Sequence, residues 1–287
     1  MLLLILVTII WGFSFGLIKG NLAGVDSYFV SLIRMSLSLL IFLPYLRIRN
    51  LPRRMAWRII LTGGIQFGVM YIAYFFAFRY LKAYEVALFT IFTPLFVTLI
   101  NDALERQFHP LFLVTAMLAV AGTAIVSWQD LASPELLRGF LLVQVSNLAF
   151  AFGQVAYRRL MSELSGYKDK ELFGLLYLGA VVLTALASAL FTDWQSLKLG
   201  ATQYWTLAYL GIIASGLCFF FWNKGARQVN PGVLAIFNDL KVPLAVAISL
   251  LFFGERANLA HLLTGGVMVI AALVLNEMML KQQTSKE

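Results

Sequence analysis

The stretch NPGVLAIFNDLKVPLAVAISLLFFGER, residues 230 to 256, is nearly all apolar, yet Asn238, Asp239, Lys241 and Pro243 sit near its middle. About 22 of these residues, 232 to 253, would cross a bilayer core of roughly 30 Å. At ~1.5 Å of rise per residue, Asp239 and Lys241 then lie roughly 10 to 14 Å from one end. A charge at that depth costs ~2.5 to 3.5 kcal/mol even on a lenient insertion scale, so it faces a protein interior rather than lipid. The Lys241 ammonium suits a substrate carboxylate; the alternative is a lysine that snorkels or pairs with an internal acid. Asp239 points roughly 200° away around the helix, so the two charges do not face each other. It can accept from a donor-rich head group, titrate as a coupling site, or neutralise another helix. Asn238 shares the Lys241 face at i, i+3 and offers directional hydrogen bonds.

Other apolar runs carry similar groups. Gln144, Asn147, Ala151 and Gln154 recur at helical spacing, forming a stripe that either lines a cavity or holds helices together. Trp11, Ser14 and Phe15 share one run, Tyr71, Tyr74 and Phe75 a second, and Trp222 and Asn223 a third. Aromatic stripes in matched positions suit an aromatic-walled pocket as well as plain packing. Arg34 lies about two turns into its run and is open to three readings: a gating ion pair, a carboxylate partner or a snorkelled anchor. The expectation is a structural or gating pair. No GxxxxGK[ST], HExxH, CxxC or Ser-His-Asp arrangement is present, so no cofactor, metal site or enzymatic activity is expected.

The elements that position these residues follow from composition. The chain is 61% hydrophobic and 13% charged, with mean hydropathy +0.84. That excludes a soluble domain and identifies an all-α polytopic membrane protein, with the lipid bilayer as its first partner. Ten spans are expected at 2–19, 29–46, 58–79, 84–101, 110–128, 139–157, 171–191, 203–223, 232–253 and 259–280. MLLLILVTIIWGFSFGLIK has neither a basic n-region nor a cleavage site and reads as a retained first span. The net charge of +8 reflects loop bias rather than nucleic-acid binding. With the N-terminus inside, 14 of the 22 Lys and Arg fall in inner loops and 6 at outer ends, leaving Arg34 and Lys241 within spans. Both termini are thus expected in the cytoplasm.

The sequence also repeats. AYEVALFTIFTPLFVTLINDALER, 83 to 106, parallels the opening stretch, with Pro94 matching Pro243 and Glu105-Arg106 matching Glu255-Arg256. Each proline frees the carbonyl four residues back, on Thr90 and Asp239. Paired interrupted helices point to a transporter's binding site. FSFG at 13 to 16 matches FAFG at 150 to 153. Five spans per half is an odd number, so the halves are inverted: 1–128 and 139–280, followed by a polar tail at 281–287.

These features resemble the EamA-type members of the drug/metabolite transporter superfamily. The residues that carry the resemblance are the tryptophan and small residues of span one, Arg34 in span two, and the Pro-then-Glu-Arg ends of spans four and nine. The resemblance implies ten helices in two inverted repeats and secondary transport of a small metabolite. DSYF at 26 to 29, TPLFVTLI at 93 to 100 and ASGLCFFFWNKGARQV at 214 to 229 are similar to the biotin-carrying branch of the family. Biotin uptake across a bacterial inner membrane is the implied activity, and export of amino acids or related metabolites is the alternative.

Overall fold

The computed structural model of the chain describes residues 2–106, 133–164, 166–228, 231–255 and 258–284, with 118, 121, 122 and 125 between them. Every regular element among the described residues is helical. Helix α1 (Leu2–Asn21) buries Leu4, Val7, Trp11, Phe15 and Ile18, a stripe at three- and four-residue spacing. Helix α2 (Ser27–Phe42) starts at Asp26, whose carboxylate accepts the Phe29 N–H at 2.9 Å and satisfies an orphan donor of the first turn.

The third span is α3 (Arg53–Gly63), a π-helical segment (Gly64–Val69) and α4 (Met70–Ala77). The fourth is α5 (Ala83–Phe89), a 3₁₀ turn (Thr90–Phe92) and α6 (Thr93–Glu105). Long helices α7 (Pro134–Glu163) and α8 (Asp169–Phe191) follow. Next come α9 (Ala201–Tyr209), a second π segment (Leu210–Leu217) and α10 (Cys218–Ala226). Helices α11 (Pro231–Phe252) and α12 (Leu259–Thr284) complete the order.

Seven of these helical units are long and apolar enough to cross a membrane. The expected span at 110–128 lies outside the described residues. The two proline-bearing spans differ from the expected symmetry. The fourth is broken ahead of Pro94, whereas α11 runs through Pro243 as one helix. A proline removes one donor but keeps a helical φ, so a helix continues through it where neighbouring helices hold both sides.

The halves interlock. Helix α1 packs on α11, α2 on α8 and the second π segment, α4 on α7, and α5 on α11. At one crossing the backbones nearly touch: a Cβ on Gly179 of α8 would sit 1.8 Å from the Ile60 carbonyl oxygen, and one on Gly63 would sit 2.0 Å from that of Leu176. Small residues permit this approach, which replaces the hydrophobic drive that is missing between helices in lipid. Leu40, Leu61, Leu141, Leu186 and Leu190 point outward and are exposed, as lipid-facing side chains are.

Candidate functional site

The break in span four is held by side chains. Pro94 cannot donate to Thr90, and the Thr90 carbonyl accepts instead from the Thr93 hydroxyl at 2.7 Å. The Phe89 carbonyl accepts from Asn147 Nδ2 at 2.8 Å, and the Thr93 hydroxyl also lies 3.2 Å from Asn147 Oδ1. Gln144 Oε1 accepts from the same amide at 3.1 Å. The polar stripe of α7 therefore pins the break and presents Asn147 beside it.

The second π segment is held in the same way. Its widened turn leaves carbonyls available, and side chains from three other helices take them. Trp11 Nε1 donates to Ala214 at 2.8 Å. The Tyr177 hydroxyl donates to Ser215 at 2.8 Å, and that of Ser38 donates to Gly211 at 2.9 Å. Irregular backbone at this depth is tolerated because it is buried in protein and re-satisfied.

Arg34 occupies the centre. Its Nε donates to Ser215 Oγ at 3.0 Å and its NH2 to the Tyr71 hydroxyl at 2.9 Å. Tyr71 and Ser215 lie 2.9 Å apart, closing a triangle among α2, α4 and the π segment. The guanidinium also lies 4.5 Å from the Tyr71 ring centroid and 5.2 Å from that of Phe75. No carboxylate among the described residues pairs with it. Among the described residues, ion pairs such as Arg227–Asp169 at 2.6 Å and Arg58–Glu163 at 2.9 Å form between partly exposed side chains. A solvated end lets both ions keep water, whereas a buried pair must offset full desolvation.

These elements line a cavity of about 80 Å³. Trp11, Ser14 and Phe15 line it from α1, Arg34 from α2, Tyr71 and Tyr74 from α4, Asn147 from α7 and Lys241 from α11. The Lys241 ammonium lies 5.6 Å from the Trp11 ring centroid. Sequence reasoning missed Thr90, Thr93, Ser146 and Phe150 on the same wall, although the Pro94 break pointed at the two threonines.

Four candidates stand outside the lining. Trp222 is fully buried behind Trp11, its ring 5.0 Å away, and Asn223 is tied to the Phe219 carbonyl at 2.9 Å. Gln154 lies farther along α7, and its Nε2 has no hydrogen-bond partner among the described residues. Phe75 faces a second cavity of about 530 Å³, lined also by Lys19, Leu22, Phe78 and Arg79. Ile18 borders both cavities, so aromatic and aliphatic side chains separate them. The side chains of Asn238 and Asp239 lie outside the described residues.

Seven helical units long and apolar enough to cross a membrane, packed around a partly polar cavity, define a multi-pass membrane protein. A model of the EamA-like transporter family matches residues 1–128 and again 137–277. The chain belongs to that family. It is 40% identical over 277 residues to a probable biotin transporter of Pseudomonas aeruginosa, covering 96% of each chain. It is 39% identical over 275 residues to the biotin transporter of Escherichia coli K12, covering 95% of this chain and 91% of that one. Protein PecM of Dickeya dadantii is 27% identical over 79% of this chain and 76% of its own length. A solved crystal structure 18% identical in sequence shares the fold, with a TM-score of 0.69 over 96% of this chain and 95% of the other.

Proposed function

We propose that the chain is a secondary transporter that carries biotin into the cell across the bacterial inner membrane. The cavity between the two halves of the sequence carries this reading, because its aromatic walls hold two buried cations, Arg34 and Lys241. A solute with one carboxylate, an apolar chain and a compact polar ring suits such walls. The names of the relatives that share about 40% of their residues over nearly the whole chain support biotin as that solute.

The two family matches support two repeats, 1–128 and 139–280, read here as ten helices in inverted halves, and the excess of Lys and Arg in the inner loops supports cytoplasmic termini with the 281–287 tail beside them. In this orientation the 530 Å³ cavity lies towards the outer side, on the path of the solute. At about 80 Å³ the inner cavity is smaller than the ~300 to 1,000 Å³ of small-molecule sites, so helices must part to admit substrate. Trp11, Ser14, Phe15, Tyr71, Tyr74, Asn147 and Lys241 contact the solute in this reading. Phe75, Gln154, Trp222 and Asn223 border its path, and in the same reading Asn238 binds substrate while Asp239 serves coupling or gating.

The test is uptake of labelled biotin by a biotin-requiring bacterial strain that lacks its own carrier. Saturable uptake that depends on the expressed chain is the expected result. No uptake despite confirmed membrane insertion, together with lowered cell content of an amino acid, would replace import with export.

A further inference from the structure

We infer that Arg34, rather than Lys241, is the group that recognises the carboxylate of a monocarboxylate substrate. This rests on the transport reading and specifies its chemistry. The Arg34 side chain is 2% exposed and lines the inner cavity. A guanidinium has five N–H donors, and here Nε and one NH2 proton are used by Ser215 and Tyr71. Arg34 NH1 has no partner among the described residues. Two of the three unused donors, one on NH1 and one on NH2, lie on the end-on edge, which matches the two oxygens of a carboxylate.

The surroundings make that edge rigid. Ser215 and Tyr71 bond each other as well as the guanidinium, and the Tyr71 and Phe75 rings lie within cation–π range of it. A fork clamped on one side and left without a hydrogen-bond partner on the other, in a buried setting, is preorganised for an anion, because its side-chain entropy is already spent. Buried cations without a carboxylate are costly, and a substrate anion entering the cavity would supply the missing charge. Lys241 differs in two respects. It faces the Trp11 ring and already has a further interaction of its own.

The proposal is tested by the preference for acid over neutral analogue, which a purely structural arginine would not alter. Purified full-length protein is incubated with biotin or its methyl ester, and with lipoate or lipoamide, and ligand-induced thermal stabilisation gives apparent affinities. Wild type is expected to prefer the acid of a pair by roughly 10- to 100-fold, the range of a charge-assisted pairing. Arg34→Gln is expected to collapse that ratio towards unity, and Arg34→Lys to restore part of it. Arg34→Met serves as a second neutral variant should the glutamine form not purify. Lys241→Gln is expected to keep the ratio. A ratio unchanged in the neutral Arg34 variants, or one that collapses only in Lys241→Gln, overturns the assignment. So does a wild type that binds acid and neutral partner equally, or neither. Stabilisation by lipoate but not biotin, lost in Arg34→Gln, would keep the arginine assignment and sink the biotin reading.

Discussion

Replacing Gly179 with alanine is expected to force α3 and α8 apart at the crossing that braces the first π segment. The added Cβ would lie 1.8 Å from the Ile60 carbonyl oxygen, where ordinary contact begins at 3.4 Å, so the backbones must separate by about 1.6 Å. The obstructing atom belongs to the backbone, and no rotamer change relieves it. Gly63 meets Leu176 across the same crossing at a notional 2.0 Å, so neither side has slack. Overpacking a tight interior costs ~1 to 3 kcal/mol, and a clash with backbone belongs at the upper end. At ~2 to 4 °C per kcal/mol for chains of about this size, the melting temperature should fall by roughly 6 to 12 °C. The assay is a thermal melt of purified protein in detergent, followed by tryptophan fluorescence, with uptake measured in parallel. Gly266→Ala is the control, because a Cβ there meets nothing within 4 Å. A Gly179→Ala melt that matches wild type and this control would refute the close-crossing account.

Two further predictions concern the ends and the break of span four. Glu255 caps α5 from the far half, accepting the Ala83 and Tyr84 N–H groups at 2.8 and 3.1 Å. Glu255→Gln removes the charge from this helix N-terminus, which costs ~1 to 2 kcal/mol, or roughly 10-fold in closure. A cysteine placed at Leu22, which lines the 530 Å³ cavity, should then react several-fold faster with an impermeant maleimide, since Cys218 is buried. Unchanged labelling would show that the carboxylate does not hold this end shut. Asn147→Ala leaves the Phe89 carbonyl without its 2.8 Å donor and is expected to lower stability by ~1 to 3 kcal/mol. The same change should weaken solute binding, read as a raised KM for uptake. A melt and KM equal to wild type would mean that the break holds without α7.

Several parts of the site were legible because they depend on spacing along one helix. A charge within an apolar run cannot face lipid, so Arg34 and Lys241 had to point inward wherever the helices met. The Pro94 break announced itself because proline lacks a donor, and the carbonyl it frees, on Thr90, is satisfied by Thr93 three residues on. Trp11, Ser14 and Phe15 fall on one cavity wall, and Tyr71 and Tyr74 on another, as their spacing on a helix requires. The π segments were not legible. Gly63-Gly64 and Ser215-Gly216 permit an extra residue per turn, yet only Ser38, Tyr177 and Trp11 from other helices make the widened turn worth keeping. Trp222 and Asn223 looked like pocket walls because they share a stripe with Phe219, but helix rotation set Trp222 against Trp11 and left Asn223 bonded to the Phe219 carbonyl, both outside the lining.

The sequence by itself determined that the chain is an all-helical membrane protein, and which residues are too polar to face lipid. Those outcomes rest on transfer free energies and helical spacing, which are properties of each segment alone. Tertiary structure decided which polar residues meet. Arg34 finds Ser215, 181 residues away, only because glycines let the helices approach closely enough to bring α2 against the second π segment. Side chains facing lipid and side chains facing another helix are equally apolar, so composition leaves helix rotation and pairing open. Backbone proximity at a few small residues settles them, and with them the unbonded edge of the Arg34 guanidinium.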